Sequence, residues 1–123
     1  MRNSTPALRN WRAISALLGL SAVGLAAIAA HALSDIKAAQ AVERAAIMQL
    51  VHAVLLLYIT GLPGIFSHLA RWSTLIGLIL FCGGIYAKYL LGFASAGSMA
   101  PFGGMTMMLG WLLLGISSLT KDN

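Results

Sequence analysis

Hydrophobic positions gather into four long stretches, Ala13 to Leu33, Ala45 to Phe66, Trp72 to Ala94 and Met99 to Leu119, joined by short polar or glycine-rich connections. Each is close to the roughly 20 residues with which an α-helix crosses about 30 Å of hydrocarbon, and a soluble domain would have too little polar surface left. The pattern predicts an all-α membrane protein. Its fold class is a four-transmembrane-helix bundle with short loops, helices over about residues 12–33, 44–62, 71–93 and 101–119, and a single integral membrane domain spanning 1–123.

The polar interruptions set the expected boundaries. Trp11 and the arginines before it suit the headgroup region, and Ser34 with Asp35 reads as a helix start, a hydroxyl capping free N–H groups and a carboxylate suiting the positive end of a helix dipole. Ile36 to Arg44 is mildly amphipathic and either lies at the interface or extends the second helix. Gly61-Leu62-Pro63-Gly64 ends that helix, Ile65 to His68 make a turn, and Arg71 with Trp72 opens the third. The segment Ala94 to Ala100 is a small-residue loop, and the fourth helix starts around Phe102. Ala30-His31-Ala32 resembles a signal-peptidase site, but the apolar run before it exceeds the usual 7 to 15 residues of a signal core, so a retained helix is expected.

Composition narrows the picture further. With 59% hydrophobic and 9% charged residues in 123, the chain has no room for a separate soluble domain. The formal charge of +5 does not imply nucleic acid, because the basic residues are scattered and no basic run alternates with aromatics. They set orientation instead. Arg2, Arg9, Arg12, Arg71 and Lys121 fall on one side of four spans, Lys37, Arg44 and Lys88 on the other beside Asp35 and Glu43. The positive-inside rule then places both termini in the cytoplasm, with membrane lipids as the surrounding partner. The lone Cys82 allows no internal disulfide and reads as a buried apolar thiol.

In lipid, helices associate by close contact and hydrogen bonding, so small residues mark where they meet. Ser15 and Gly19, then Ala22, Ala26 and Ala30, make such a stripe on the first helix; Gly83 and Gly84 serve the third, Gly103, Gly104 and Gly110 the fourth. No phosphate cradle is implied, since none of these glycines follows a strand or carries a P-loop lysine.

The candidate chemistry lies in His31, Gln49, His52, Tyr86, Lys88 and Thr106, which are costly at membrane depth unless paired. On the boundaries above they all fall in the outer half of the bundle, leaving an inner half of plain packing. Gln49 and His52, three apart, are expected to share a face and a partner. A metal or haem held by His31 and His52 is disfavoured, because the two differ by about 8 Å or more in depth on a rise of about 1.5 Å per residue. No metal site and no cofactor is expected. A proton or solute path is conceivable through a histidine, glutamine and tyrosine, although acidic residues are absent from the spans. Met99, Met105, Met107 and Met108 evoke copper, yet Met107 and Met108 point in different directions on a helix and packing is the simpler reading. The simplest role for the polar set is a hydrogen-bond network between helices.

Ala30-His31-Ala32-Leu33, Gln49-Leu50-Val51-His52-Ala53, Leu80-Phe81-Cys82-Gly83-Gly84-Ile85-Tyr86, Ala100-Pro101-Phe102-Gly103-Gly104 and Gly110-Trp111 follow one another along the chain. In order and spacing they resemble the domain-of-unknown-function 423 family of small membrane proteins, related to the eukaryotic transmembrane protein 256 group. The similarity runs from about Gly24 to Leu114. That family typically has glycines where this chain has Ala26 and Ala29, and a tyrosine where it has Met48. The resemblance implies a four-helix inner-membrane protein of unassigned role and supplies no catalytic residues. The expected function is therefore non-enzymatic association, as an accessory subunit of a larger complex or a homo-oligomer, with a small transporter or proton conductor as the alternative.

Overall fold

The structure is a computed structural model that describes residues 5–120. Arg2 and Lys121, counted above for orientation, lie outside the described residues. Four α-helices follow in order, α1 (Pro6–His31), α2 (Ile36–Thr60), α3 (Ile65–Leu90) and α4 (Ala100–Leu119), with a 3-10 turn over Ala94–Met99 ahead of α4. All four are long and apolar enough to cross a membrane, and no strand occurs among the described residues.

The helices begin earlier than their apolar cores. Thr5 caps α1, its hydroxyl accepting from Leu8 N at 3.2 Å, and Pro6 loses nothing in the first turn, where its N–H would have no helical acceptor. Asp35 rather than Ser34 caps α2, accepting from Ala38 N at 3.1 Å, so Ile36 to Arg44 extends the helix. Ile65 to His68 form the first turn of α3 rather than a loop; the reversal is confined to Gly61–Gly64, where Gly64 takes φ +98°, a conformation that a side chain would strain. The expected loop at Ala94–Ala100 is likewise wound. Helix propensity and capping outlast the hydrophobic signal by up to about two and a half turns, which is why hydropathy alone places the starts too late.

α1 packs on α2, α2 on α3 and α3 on α4, the last contact being the most extensive. The α3–α4 contact is backbone on backbone. A Cβ added at Gly77 would lie 2.6 Å from Met107 N, and one added at Gly103 would fall on Phe81 N, so only glycine permits this spacing. Gly110 leaves room for Thr74 in the same seam, and Gly84 lets the 3-10 turn lie on α3, with 2.8 Å between an added Cβ and Ala96 O. Val42, Leu56, Ile59 and Leu78 fill the middle.

Not every expected packing residue is used. Nothing lies within 4 Å of a Cβ built at Gly19 or Gly83, and Gly104 meets only Phe81 Cδ1 at 3.9 Å. On α1 the buried positions are Trp11, Ser15, Ala22 and Ala29, so Ala26 is half-buried and Ala30 faces outward. α1 is so rich in small residues that a four-residue and a seven-residue spacing are equally available. The seven-residue one prevails because it continues the line of Trp11 and Ser15 toward α2 and α3.

Gly103→Ala should therefore lower the unfolding free energy in detergent by about 1 to 3 kcal/mol, the usual cost of overpacking, whereas Gly19→Ala should leave it unchanged within error. Equal losses in thermal or dodecyl-sulfate unfolding would contradict the glycine-mediated seam.

Candidate functional site

Gln49, the fourteenth residue of α2, lies near the middle of that helix and ties three helices together. Its Nε2 donates to Leu18 O and to Ser21 Oγ of α1, both at 2.7 Å, and its Oε1 accepts from Tyr86 Oη of α3 at 2.8 Å. Ser21 passes the chain on by donating to Leu17 O at 2.9 Å. Nearby, Cys82 Sγ donates to Ala45 O of α2 at 3.3 Å. Gln49 is buried, and its amide has a partner at both its nitrogen and its oxygen, the condition for keeping such a group away from water.

His52 is buried too but belongs to a different set. Its Nδ1 lies 2.8 Å from Met48 O, an acceptor only, so Nδ1 carries the proton and Nε2 is left with a lone pair. Trp111 Nε1 of α4 donates to that Nε2 at 3.1 Å, the two rings meeting edge to face. Three residues on a helix subtend about 60° rather than a single direction, and α2 packs against α1 and α3 while Trp111 of α4 reaches it from a further direction. Gln49 and His52 consequently have separate partners, contrary to the expectation of a shared one.

The remaining candidates stand apart. His31 is exposed at the end of α1, and Thr106 spends its hydroxyl on Phe102 O of its own helix at 2.8 Å. Lys88 is exposed, its Nζ lying 5.2 Å from the Tyr89 ring centroid. The six residues are thus a Gln49–Tyr86 pair, His52 with a tryptophan as partner, and three outliers. Because α2 starts at Ile36, Gln49 lies at mid-bundle and not in its outer half. Among the described residues no three His, Cys, Asp or Glu side chains come together in a way that would hold a metal ion.

The end of the bundle that holds the start of α1 is not plain packing either. Ser67 and Ser117 share a buried hydrogen bond of 2.7 Å between α3 and α4 there, and nearer mid-bundle Ser73 Oγ donates to Thr106 O at 2.7 Å. Arg71, two turns inside α3, donates to Ile59 O near the end of α2 at 3.4 Å, pairs with His68 Nδ1 at 3.0 Å and lies 5.7 Å from the Trp11 ring centroid. Trp11 in turn meets Trp72 edge to face at 5.1 Å. Sequence reasoning put Arg71 at the start of a helix and so missed these contacts. Trp111 carried a usable signal, since an indole N–H at mid-helix in hydrocarbon needs an acceptor.

Residues 25–104 match the family described as Protein of unknown function (DUF423). The chain belongs to that family. Among its relatives, a UPF0382 membrane protein of Staphylococcus epidermidis is 33% identical over 112 residues, covering 86% of this chain and 92% of its own. A UPF0382 membrane protein of Haemophilus influenzae is 36% identical over 112 residues, covering 84% and 88%. No solved structure matches the chain. This DUF423 protein is accordingly an integral membrane protein with bacterial relatives, and its matched region takes in α2 and α3 whole, with Gln49, His52 and Tyr86.

A double-mutant cycle tests the three-helix tie. Gln49→Leu and Tyr86→Phe should be coupled by about 0.6 to 1.7 kcal/mol in dodecyl-sulfate unfolding, from the average to the upper end of what single hydrogen bonds between membrane helices contribute. Strict additivity would mean that the bond contributes nothing.

Proposed function

We propose that this protein acts by association in a bacterial cytoplasmic membrane, as an accessory subunit of a larger complex or as a homo-oligomer, and not as an enzyme. The observation that carries this reading is the division of its polar and small residues. Gln49, Tyr86 and His52 inside the bundle, and Trp111 at its face, are bonded to one another, to Ser21 or to backbone, and no paired acid and base or activated nucleophile stands among the described residues. Outside, Gly24 and Gly83 face outward with nothing in front of a Cβ, and Gly19 has the same open space. Small residues on a lipid-facing surface let a second helix approach closely, which is how association gains energy where lipid and side chains are equally apolar.

Conduction past Gln49, His52 and Tyr86 has less support. Hydrogen bonds divide these residues between two sets, one ending on backbone carbonyls of α1 and the other on the carbonyl of Met48. A flux in reconstituted liposomes that His52→Ala abolishes would favour it over association.

Both termini are placed in the cytoplasm on this reading, since Arg9, Arg12 and Arg71 lie toward one end of the bundle and Lys37, Arg44 and Lys88 toward the other. Green fluorescent protein fused after Asn123 should fluoresce, and an alkaline phosphatase fusion there should be inactive; the reverse pair would invert the topology.

Gly24→Leu and Gly83→Leu should leave the unfolding transition unchanged while removing a partner or oligomer band after crosslinking in native membranes. A chain that gives no crosslinked species in its unaltered form, and runs as a monomer after gentle detergent extraction, would count decisively against association.

A further inference from the structure

α2 and α4 both pack against α3 and touch each other through side chains such as His52 and Trp111, which leaves a groove between them floored by Phe81 of α3. Two cavities meet at Phe81, which lines both: one lies in this groove, and the other continues it between α2, the end of α3 and Gly97 of the 3-10 turn. The deeper one, about 380 Å³, is walled by Met48, Met105, Met108 and Trp111, with His52 at its base. The other, about 260 Å³, opens toward the start of α2 and the end of α3, where Arg44 and Lys88 flank it with Tyr89.

The two ends differ in chemistry. Arg44 and Lys88 are exposed at the mouth, and neither has a carboxylate partner among the described residues. The deep end carries no charge: its imidazole lone pair is already taken by Trp111, and methionines supply a polarizable, adaptable wall. From Arg44 to His52 is eight residues, about 12 Å along α2. Ala41, Arg44, Met48 and His52 recur at spacings of three and four, so one face of α2 supplies the wall from mouth to base.

We propose that this groove binds one anionic amphiphile, its phosphate-type headgroup held between Arg44 and Lys88 and a single hydrocarbon chain laid along Met48, Phe81 and Met105 toward Trp111. Paired cations without acidic partners, at the mouth of an apolar trough, complement that combination and neither of its halves alone. An anionic phospholipid of the leaflet facing the start of α2 is the source committed to here. The assignment is independent of the association reading, since it uses the α2–α4 groove and not the outward glycines.

Trp111 is a built-in reporter. In a Trp11→Phe/Trp72→Phe chain it is the one tryptophan left, and an acyl-brominated lipid quenches it on contact. In phosphatidylcholine vesicles, brominated phosphatidylglycerol should quench Trp111 at a lower mole fraction than brominated phosphatidylcholine does. That preference should fall roughly fivefold with Arg44→Gln and again with Lys88→Gln, as expected for one cation near an anionic headgroup. Quenching that is equal for the two lipids, or unchanged in the two variants, would overturn the site, as would no quenching by either. Loss of the preference on adding inorganic phosphate at constant ionic strength would assign the cations to free phosphate and overturn the lipid. Native mass spectrometry of the unaltered chain guards against a misfolded reporter: one retained phosphatidylglycerol per chain is expected, and none would contradict the proposal.

Discussion

Everything in this molecule depends on how closely α3 and α4 approach. In hydrocarbon there is no water to drive helices together, so contact area and hydrogen bonds must do it. Gly77 and Gly103 bring two backbones together where a single methyl group would collide. That spacing sets the rest: it places Ser67 against Ser117, puts Ser73 within reach of Thr106 O, and presents Trp111 at the height of His52. Where α4 follows α3 this tightly, α2 keeps a separate seat on α3, and the groove between α2 and α4 results.

Against that dry seam, the α1 and α2 side of the bundle is organised by polarity. α1 has few buried positions, and three of the four are serine or alanine. Small side chains offer little dispersion energy, so a buried amide bonded to its backbone and to Ser21 supplies direction as well as energy. The two halves of the protein therefore use different means to the same end, backbone contact on one side and a side-chain tie on the other.

Much of this was legible in the chain and some was not, for definite physical reasons. Four spans, the kinship and the need of Gln49 for partners follow from hydropathy, motif order and the cost of an unpaired amide in lipid. The rotational register of α1 did not follow, because alanines and glycines at Gly19, Ala22, Ala26, Ala29 and Ala30 satisfy more than one spacing. Nor did the separate partners of Gln49 and His52, which depend on how neighbouring helices are arranged around α2. Helix starts were misjudged where capping by Thr5 and Asp35 carried the helix past the apolar run. The inward reach of Arg71 was hidden for the same reason, since it needed an earlier start of α3.

The Gln49 tie also bears on the order in which the protein can be made. A chain synthesised from its N-terminus completes α1 and α2 first, and that hairpin holds both partners of Gln49 Nε2, Leu18 O and Ser21 Oγ. Its Oε1 has no partner until Tyr86 arrives, twenty-odd residues into α3. A half-built molecule thus carries two bare acceptors, this oxygen and His52 Nε2, whose donor Trp111 arrives with α4, in the least forgiving solvent it could have. Those acceptors favour the docking register of the second hairpin that fills them over one that leaves them empty.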